Sequence, residues 1–285
     1  MLNQITPLIL TYNEAPNLAR TLRQLSWATD IVVVDSLSED ETVEIASSFP
    51  QVRVFQRRFD THRHQWAFGL TDTGIRTPWV LALDADYLLT DEFVSEIELL
   101  RPAEEVNGYR ARFIYCFDGK PLRSGIYPPV TVLYRRETAS YEQDGHTHRV
   151  RIVGEVHDLH SNVLHDDRKP FRSWFNSQVR YTELEAQKLL TAKSQDLSAP
   201  DRLRRFCIVA PMVIPIYCLF VRGGIFDGWA GLRYAFERTI AELMLSVRLI
   251  QHRLLRRAFA KTRAVHEPDT TADFKPKAHS PETHA

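Results

Sequence analysis

Several things are scarce in this sequence, and each scarcity narrows the kinds of protein it can encode. The only cysteines are Cys116, Cys207 and Cys218, and no two of them have CxxC spacing. This argues against a disulfide framework and against a cysteine zinc site, and it fits a reducing compartment. The first residues, MLNQITPLIL, contain no basic segment and no small-residue cleavage site. We therefore interpret them as a first strand and not as a signal peptide.

The formal net charge is zero, because 36 Lys and Arg residues balance 36 Asp and Glu residues. A neutral total argues against a nucleic-acid-binding protein that works by bulk charge. The balance is uneven along the chain, however. Residues 1–100 carry 7 basic and 15 acidic side chains, whereas residues 166–265 carry 18 basic and 9 acidic ones. An acidic front half is joined to a basic back half, and a functional account has to explain both.

The front half alternates strand and helix signals. Apolar runs that predict strands are spaced by segments with helical periodicity, and this order is typical of a parallel, doubly wound α/β sheet. Residues 108–165 carry further strand signals, and residues 173–193 are predicted to be helical. The four runs are Ile5–Thr11, Ile31–Asp35, Val52–Gln56 and Trp79–Leu83.

No apolar run reaches the roughly 20 residues that a membrane-spanning helix needs. The longest uncharged segment, residues 206–221, has 16 residues and contains Pro211 and Pro215. Its basic flanks suit anionic lipid headgroups, so we favour a membrane-interface or re-entrant segment. The alternative is a buried pair of core helices.

A basic amphipathic helix is predicted over residues 229–259, because apolar residues recur at steps of three and four. Residues 202–263 hold 12 basic and 3 acidic side chains, which favours an anionic membrane surface over an ordinary solvated face. We therefore predict a catalytic domain at 1–195, a helical membrane-associating extension at 196–263 and a disordered tail at 264–285.

Polar residues follow the predicted strands at the point where each one ends. Thr11, Asn13 and Glu14 stand at the end of the first strand, Asp35 ends the second, and Asp84 and Asp86 follow the fourth. Ligands of open parallel sheets bind at this edge. Carboxylates gathered there repel one another unless a cation or hydrogen-bond donors intervene. Mg²⁺ or Mn²⁺ bridging a phosphate ester would satisfy them.

The segments PLILTYNEAPNLARTL, IVVVDSLSEDETVEIA and WVLALDADYLL together resemble the family 2 glycosyltransferases of the GT-A fold. They are most similar to the branch that includes the lipopolysaccharide-core glucosyltransferases of bacteria. The resemblance covers roughly residues 4–195. It implies a Rossmann-like, mostly parallel α/β sheet with flanking helices. It also implies a metal-dependent, inverting transfer from a nucleotide-diphosphate sugar to a glycan or lipid-linked acceptor.

The resemblance also implies roles for individual residues. Thr11, Asn13, Glu14 and Asp35 would hold the base and ribose of the donor, with Asp84 at the ribose or metal region. Asp86 would bind the metal, and Arg63 could contact the diphosphate. His165 would complete the metal shell. These residues are Thr11, Asn13, Glu14, Asp35, Arg63, Asp84, Asp86 and His165.

The catalytic base is less well marked. Family members often place it in an acidic pair after the DxD motif, but Thr147 stands where the usual Glu would be. We expect Asp144 to be the base, with His146 as second choice. Asp144 could instead be a turn residue before Gly145. The five histidines of residues 146–165 match no common zinc motif.

Two other function classes remain open. A phosphotransferase with an aspartate nucleophile also uses a DxD at a strand end, but it usually carries that motif near the N-terminus. A non-catalytic membrane scaffold would make residues 202–263 the functional part. The favoured hypothesis places an enzyme at the cytoplasmic face of the inner membrane, as a peripheral or monotopic protein.

Overall fold

The computed structural model describes residues 1–144 and 147–266. One nine-stranded sheet forms the centre, with the strand order β3-β2-β1-β4-β8-β6-β11-β5 and with β7 paired to β6. The strands are β1 Ile5–Thr11, β2 Ile31–Asp35, β3 Val52–Gln56, β4 Trp79–Asp84, β5 Tyr87–Leu89, β6 Val106–Phe117, β7 Lys120–Pro121, β8 Val130–Arg135, β9 Ala139–Asp144, β10 Thr147–Ile152 and β11 Glu155–His165. The α-helices are α1 Ala15–Gln24, α2 Thr42–Ser47, α3 His62–Thr71, α4 Asp91–Leu99, α5 Phe171–Thr191, α6 Ala199–Arg204, α7 Val209–Ile216 and α8 Gly228–His266.

The first four strands form the parallel part of the sheet. β1 pairs in parallel with both β2 and β4, and β2 pairs in parallel with β3. Every residue of β2 is buried, as are the first five residues of β4, because helices cover both faces of such a sheet. This confirms the predicted α/β class and places the ends of β1, β2 and β4 along one edge.

The second part of the sheet is mixed, which the sequence pattern did not specify. β8 runs antiparallel to β4 and β6, whereas β6 and β11 are parallel to each other. β5 pairs antiparallel with the end of β11, with Tyr87 opposite His165. That single register brings the segment after β4 beside the end of β11.

Strands β9 and β10 form a separate two-stranded hairpin. The hairpin lies against α3, where the rings of Trp66 and Tyr141 stack with centroids 5.3 Å apart. The hydroxyl of Tyr141 also lies 2.6 Å from that of Tyr134 on β8. Aromatic packing of this kind fixes the hairpin, and with it Asp144 at the end of β9.

The back half is a helical layer in which α7 and α5 both pack on α8. Its small core contains Leu189, Cys207 and Leu249. One side of residues 206–221 packs on α8 and the other is exposed, so the membrane-interface interpretation of this segment stays a prediction. The predicted domain boundary at residue 195 stays a prediction. The predicted tail lies outside the described residues except for residues 264–266, which continue α8.

No single helix in the described part of the chain is long and apolar enough to cross a membrane. One bent pair, Val209–Val221 with Gly224–Leu255 at 70°, passes by length and composition alone.

Large apolar side chains of the helical layer are exposed to solvent, and we call the surface that they form the apolar back surface. Monomeric soluble proteins rarely expose extended apolar patches, which otherwise mark contact sites. Trp229 is 85% exposed and Phe226 is 76% exposed. The surface comprises Phe206, Ile208, Met212, Ile216, Phe220, Val221, Ile225, Phe226, Trp229, Phe236, Val247 and Leu254.

Candidate functional site

At the edge where β1 and β2 end, Asp35 is fully buried and accepts several hydrogen bonds. Its Oδ1 accepts from Thr11 Oγ1 at 2.9 Å and from Ser38 Oγ at 2.5 Å. Its Oδ2 accepts from the backbone N–H of Ser38 at 2.9 Å. In this arrangement Asp35 and Thr11 shape the loop after β2, and their contact with a nucleotide stays a prediction.

Asn13 and Glu14 attach the end of β1 to the same loop. Asn13 has a φ of 52°, a left-handed conformation that Asn adopts more readily than most residues. Its N–H donates to Ser38 Oγ at 2.8 Å, and its Oδ1 accepts from the N–H of Glu39 at 2.8 Å. The Glu14 N–H donates to Thr42 Oγ1 at 2.7 Å. Together these bonds build a polar, closely tied cradle at the strand edge.

The metal residues suggested by the resemblance do come together. His165 Nε2 lies 3.0 Å from Asp86 Oδ2, and the Asp86 side chain is almost fully buried. The His165 ring packs edge-on against three tyrosine rings, with centroids 4.9–5.4 Å away. These rings belong to Tyr87, Tyr115 and Tyr127. They hold the imidazole in one orientation.

Burial and like charge shift the titration of the carboxylates at this site. Burial, together with neighbouring Asp86, raises the pKa of Asp84 to about 6. Burial also raises the pKa of Glu14 to about 7, although Lys169 opposes the shift. Burial acts against the charged forms of Asp86 and His165, but their mutual attraction outweighs it, so the pKa of Asp86 is lowered and that of His165 is raised. The site thus favours a cation.

The residues present fit a divalent metal ion. Asp86 Oδ1 and His165 Nδ1 are both buried and have no hydrogen-bond partner among the described residues. Mg²⁺ and Mn²⁺ favour oxygen ligands such as carboxylates, with substrate phosphates completing the shell, and histidine is the commonest metal-ligating side chain of proteins. No three His, Cys, Asp or Glu side chains in the described ranges are grouped to hold a metal alone. Asp86 and His165 can therefore supply two ligands, and a diphosphate the others.

Helix α1 ties the two halves of this site together, which sequence reasoning missed. The buried Asn17 donates from Nδ2 to Glu14 Oε2 and to Asp167 Oδ1, both at 2.8 Å. Its Oδ1 accepts from the N–H of Arg168 at 2.8 Å. Lys169 Nζ reaches Glu14 Oε1 at 2.6 Å. The loop after His165 is thereby fastened to the end of β1.

Two further residues of α1 complete this fastening. Arg20 Nη1 bonds to Asp166 Oδ2 at 2.7 Å, and Asp166 is almost fully buried. Thr21 Oγ1 donates to the carbonyl of Ala85 at 2.6 Å, between the two aspartates of the DxD motif. We call Asn17, Arg20 and Thr21 the α1 staple. Nothing in their sequence spacing distinguishes them from ordinary helix residues.

The remaining candidates are Arg63, Asp144 and His146. Arg63 is an exposed residue in the first turn of α3. Asp144 ends β9, where its carboxylate contacts Arg149 Nε at 2.6 Å and Lys188 Nζ at 2.9 Å. Burial raises the pKa of Asp144, but these two cations outweigh it and lower the pKa overall. His146 lies outside the described residues.

The histidine-rich segment gives no zinc site in the described part of the chain. His157 and His160 are both exposed, and His157 Nε2 lies 3.1 Å from Glu155. Of the histidines described in this segment, His165 is the one that contacts a carboxylate of the strand edge.

Comparison with known proteins gives a consistent picture. Residues 8–145 match the family described as "Glycosyl transferase family 2". An uncharacterized glycosyltransferase of Rickettsia prowazekii is 26% identical over 204 residues, which cover 66% of this chain and 69% of the relative. One of Rickettsia bellii is 31% identical over 144 residues, which cover 48% of each chain. The residues that match the family include the ends of β1, β2 and β4, whereas His165 lies beyond them.

Solved structures resemble the chain more distantly. Residues 1–349 of S. aureus TarS in complex with UDP-GlcNAc align at a TM-score of 0.44 and 14% identity, covering 87% of this chain and 92% of that one. At this distance the similarity assigns no role to any residue of this chain.

Proposed function

Given that this chain belongs to glycosyl transferase family 2, we propose that it is a metal-dependent, inverting enzyme. It transfers a sugar from a nucleotide-diphosphate donor, of the UDP-sugar type, to a lipopolysaccharide, lipid-linked or other cell-envelope glycan acceptor. The observation that carries the proposal is the buried Asp86–His165 pair beside Asp84. It leaves Asp86 Oδ1 without a partner among the described residues, at the edge where ligands of such sheets bind.

The chain's own residues divide the work. Asp86 and His165 would hold the cation, which when bound would offset the negative charge of the departing diphosphate. Asp84, Asn13 and Glu14 face the nucleotide, and the α1 staple keeps the DxD segment and the loop after His165 at a fixed separation. Arg63, at the start of α3, is the proposed diphosphate contact from outside the cradle.

Asp144 remains the proposed base that takes the proton from the acceptor hydroxyl, with His146 as the alternative. The two ion pairs that lower the pKa of Asp144 make its carboxylate a weaker proton acceptor. If Asp144 is the base, Asp144→Asn should lower kcat by about 100-fold or more with little change in the KM for the donor. Glu142→Gln is the matched control, since Glu142 lies on the same strand and pairs with exposed Arg151. Equal effects in both variants would leave Asp144 with a structural role only.

We further propose that the enzyme works at the cytoplasmic face of the inner membrane. The apolar back surface and the basic excess of residues 202–263 support this, because apolar side chains flanked by arginine suit an anionic bilayer surface. The acceptor would then reach the strand edge from the membrane side.

The decisive test is a thermal-shift panel of nucleotide sugars with Mg²⁺ or Mn²⁺. We expect a UDP-sugar to raise the melting temperature only when a divalent ion is present, and EDTA to abolish both the shift and the transfer. Asp86→Asn should lose both while melting normally without ligand, whereas Asp72→Asn, at an exposed position, should keep both. A melting temperature unchanged by UDP and Mn²⁺ would favour the scaffold hypothesis instead.

A further inference from the structure

A groove of about 640 Å³ lies where the β6–β7 segment meets the start of the helical layer. Its walls carry three basic side chains, Lys120, Arg123 and Arg222. The one acidic residue lining the groove, Asp227, already accepts from Ser124 through its backbone N–H and its hydroxyl, both at 3.0 Å. The groove is therefore cationic, and its carboxylate is engaged elsewhere.

The two arginines are held by contacts that do not neutralise their charge. Arg222 Nη2 donates to the carbonyl of Gly125 at 2.9 Å, and the guanidinium of Arg123 lies 6.0 Å from the ring centre of Phe226. Within residues 1–144 and 147–266, none of the three forms an ion pair with a carboxylate. Cations held near one another repel until an anion joins them. Guanidinium groups match the geometry of phosphate oxygens especially well.

The rest of the groove is apolar and leads to the apolar back surface. Phe113, Leu122 and Phe226 are among its lining residues. The neighbouring Trp229 is the most exposed large apolar side chain of the described chain. A ligand suited to this surface combines an anionic group with an apolar portion, because only such a molecule satisfies the arginines and covers the aromatic rings.

The groove shares an aromatic wall with the proposed metal site. The Phe113 ring lies 4.7 Å from that of Tyr87 and 5.0 Å from that of Tyr127, measured between centroids. Both tyrosines pack on His165. The polar end of a molecule anchored in the groove is thus separated from the strand edge by a single layer of aromatic side chains.

We propose that this groove binds the phosphate group of an amphiphilic, lipid-borne molecule and thereby anchors the acceptor. As an acceptor subsite it rests on the glycosyltransferase function proposed above, whereas as a phosphate site it stands on its own geometry. Lys120, Arg123 and Arg222 contact the phosphate, and the apolar portion extends over Phe226 towards Trp229.

The test compares two double variants of the full chain. Arg123→Gln/Arg222→Gln removes two of the three groove cations. Arg76→Gln/Arg101→Gln removes the same charge from exposed positions elsewhere. Binding is measured by flotation with phosphatidylcholine vesicles that contain phosphatidic acid, and with vesicles that contain phosphatidylserine at the same mole fraction. We expect the groove variant to bind phosphatidic acid vesicles about tenfold more weakly and the control variant to stay within about threefold of wild type.

Further arms separate the possible sources of the phosphate and the two proposals. Short-chain phosphatidic acid should bind more tightly than inorganic phosphate in calorimetry, and equal affinity would overturn the amphiphilic ligand. Equal losses in both double variants would overturn the groove in favour of bulk charge. The melting shift with UDP-sugar and Mn²⁺ should be intact in both variants. Should that shift be missing in wild type while the groove arms succeed, only the proposed function fails.

Discussion

The strand edge buries polar side chains and pairs them with one another, whereas the apolar back surface exposes apolar side chains to solvent. At the strand edge, nearly every buried polar atom has a partner within the chain, as in the contacts of Asn17 with Glu14 and Asp167. Among the described residues, the exceptions at this edge are Asp86 Oδ1, His165 Nδ1 and, on α1, Arg20 Nε. On the back surface, by contrast, Phe220 and Trp229 are 65% and 85% exposed.

This difference suits the different kinds of ligand that we propose for the two regions. The edge is preorganised, so its binding partner has to be small, charged and closely matched to a few atoms. The back surface exposes a wide apolar area flanked by arginines, which suits the broad anionic membrane surface proposed above. The acidic and basic halves of the sequence thus correspond to two surfaces of different chemistry.

The largest expected effect is a loss of activity from a substitution at the preorganised strand edge. His165→Gln removes the imidazole that pairs with Asp86, and we expect transfer activity to fall more than about 100-fold, beyond the loss usual for residues that only support a metal ligand. His160→Gln, an exposed position on the same strand, should leave activity within about twofold. Steady-state kinetics in saturating Mn²⁺ measure both, and a comparable loss in the two variants would refute the assigned metal pair.

The next largest effect concerns the α1 staple. Asn17→Ala leaves the carboxylates of Glu14 and Asp167 short of a donor, which should lower the free energy of unfolding by at least about 2 kcal/mol. Asn3→Ala, at an exposed position, should change it by less than about 0.5 kcal/mol. Urea denaturation gives both values. A neutral Asn17→Ala would mean that the network is not what holds the loop after His165.

The back surface should respond in membrane binding and not in stability. Phe220→Ser with Trp229→Ser removes two exposed rings, so partition onto anionic vesicles should weaken about tenfold or more, while the melting temperature stays unchanged. Leu99→Ser with Val153→Ser removes two similarly exposed apolar side chains outside that surface. If the control pair weakens partition equally, the two regions do not differ as described.

The smallest effect is expected at the contact between helix α5 and the β9–β10 hairpin, where Lys188 pairs with Asp144. Because the folded pKa of Asp144 is lowered, its contribution to stability is present at neutral pH and is lost as pH falls through that pKa. Asp144→Asn should therefore cost less than about 1 kcal/mol at neutral pH. The difference from wild type should vanish in acid. Asp196→Asn, at an exposed position, should show no such pH-dependent difference in denaturation curves.

Much of the parallel half of the fold could be predicted from the sequence, since its strands are local apolar runs ending in Asp35 and Asp84. The mixed half could not, because the pairing of β5 with β11 depends on contacts between residues far apart in the chain. Strand direction is invisible in an alternating pattern. The exposure of one side of residues 206–221 could not be predicted either, because an uncharged run fits both a core and a membrane.

The site shows the same division. Asp84 and Asp86 were recognisable because both lie at the end of an apolar run, and the structure brings His165 to them. Asn17, Arg20 and Thr21 were not recognisable, because their partners lie in loops that the helix meets only in the folded chain. Asp144 was selected by its position after the motif, and its ion pairs with α5 and with Arg149 of β10 could not be foreseen.

The α1 staple has a consequence for the order of events during synthesis. Asn17 of the staple and its partner Asp167 are separated by 150 residues, and Asp86 and His165 by 79. A chain emerging from the ribosome completes its parallel strands well before the segment that closes the site is made. The unfinished polypeptide therefore exposes a cluster of acidic groups without their partners. The proposed cation site is therefore complete only once the last strand of the sheet has been translated and has docked.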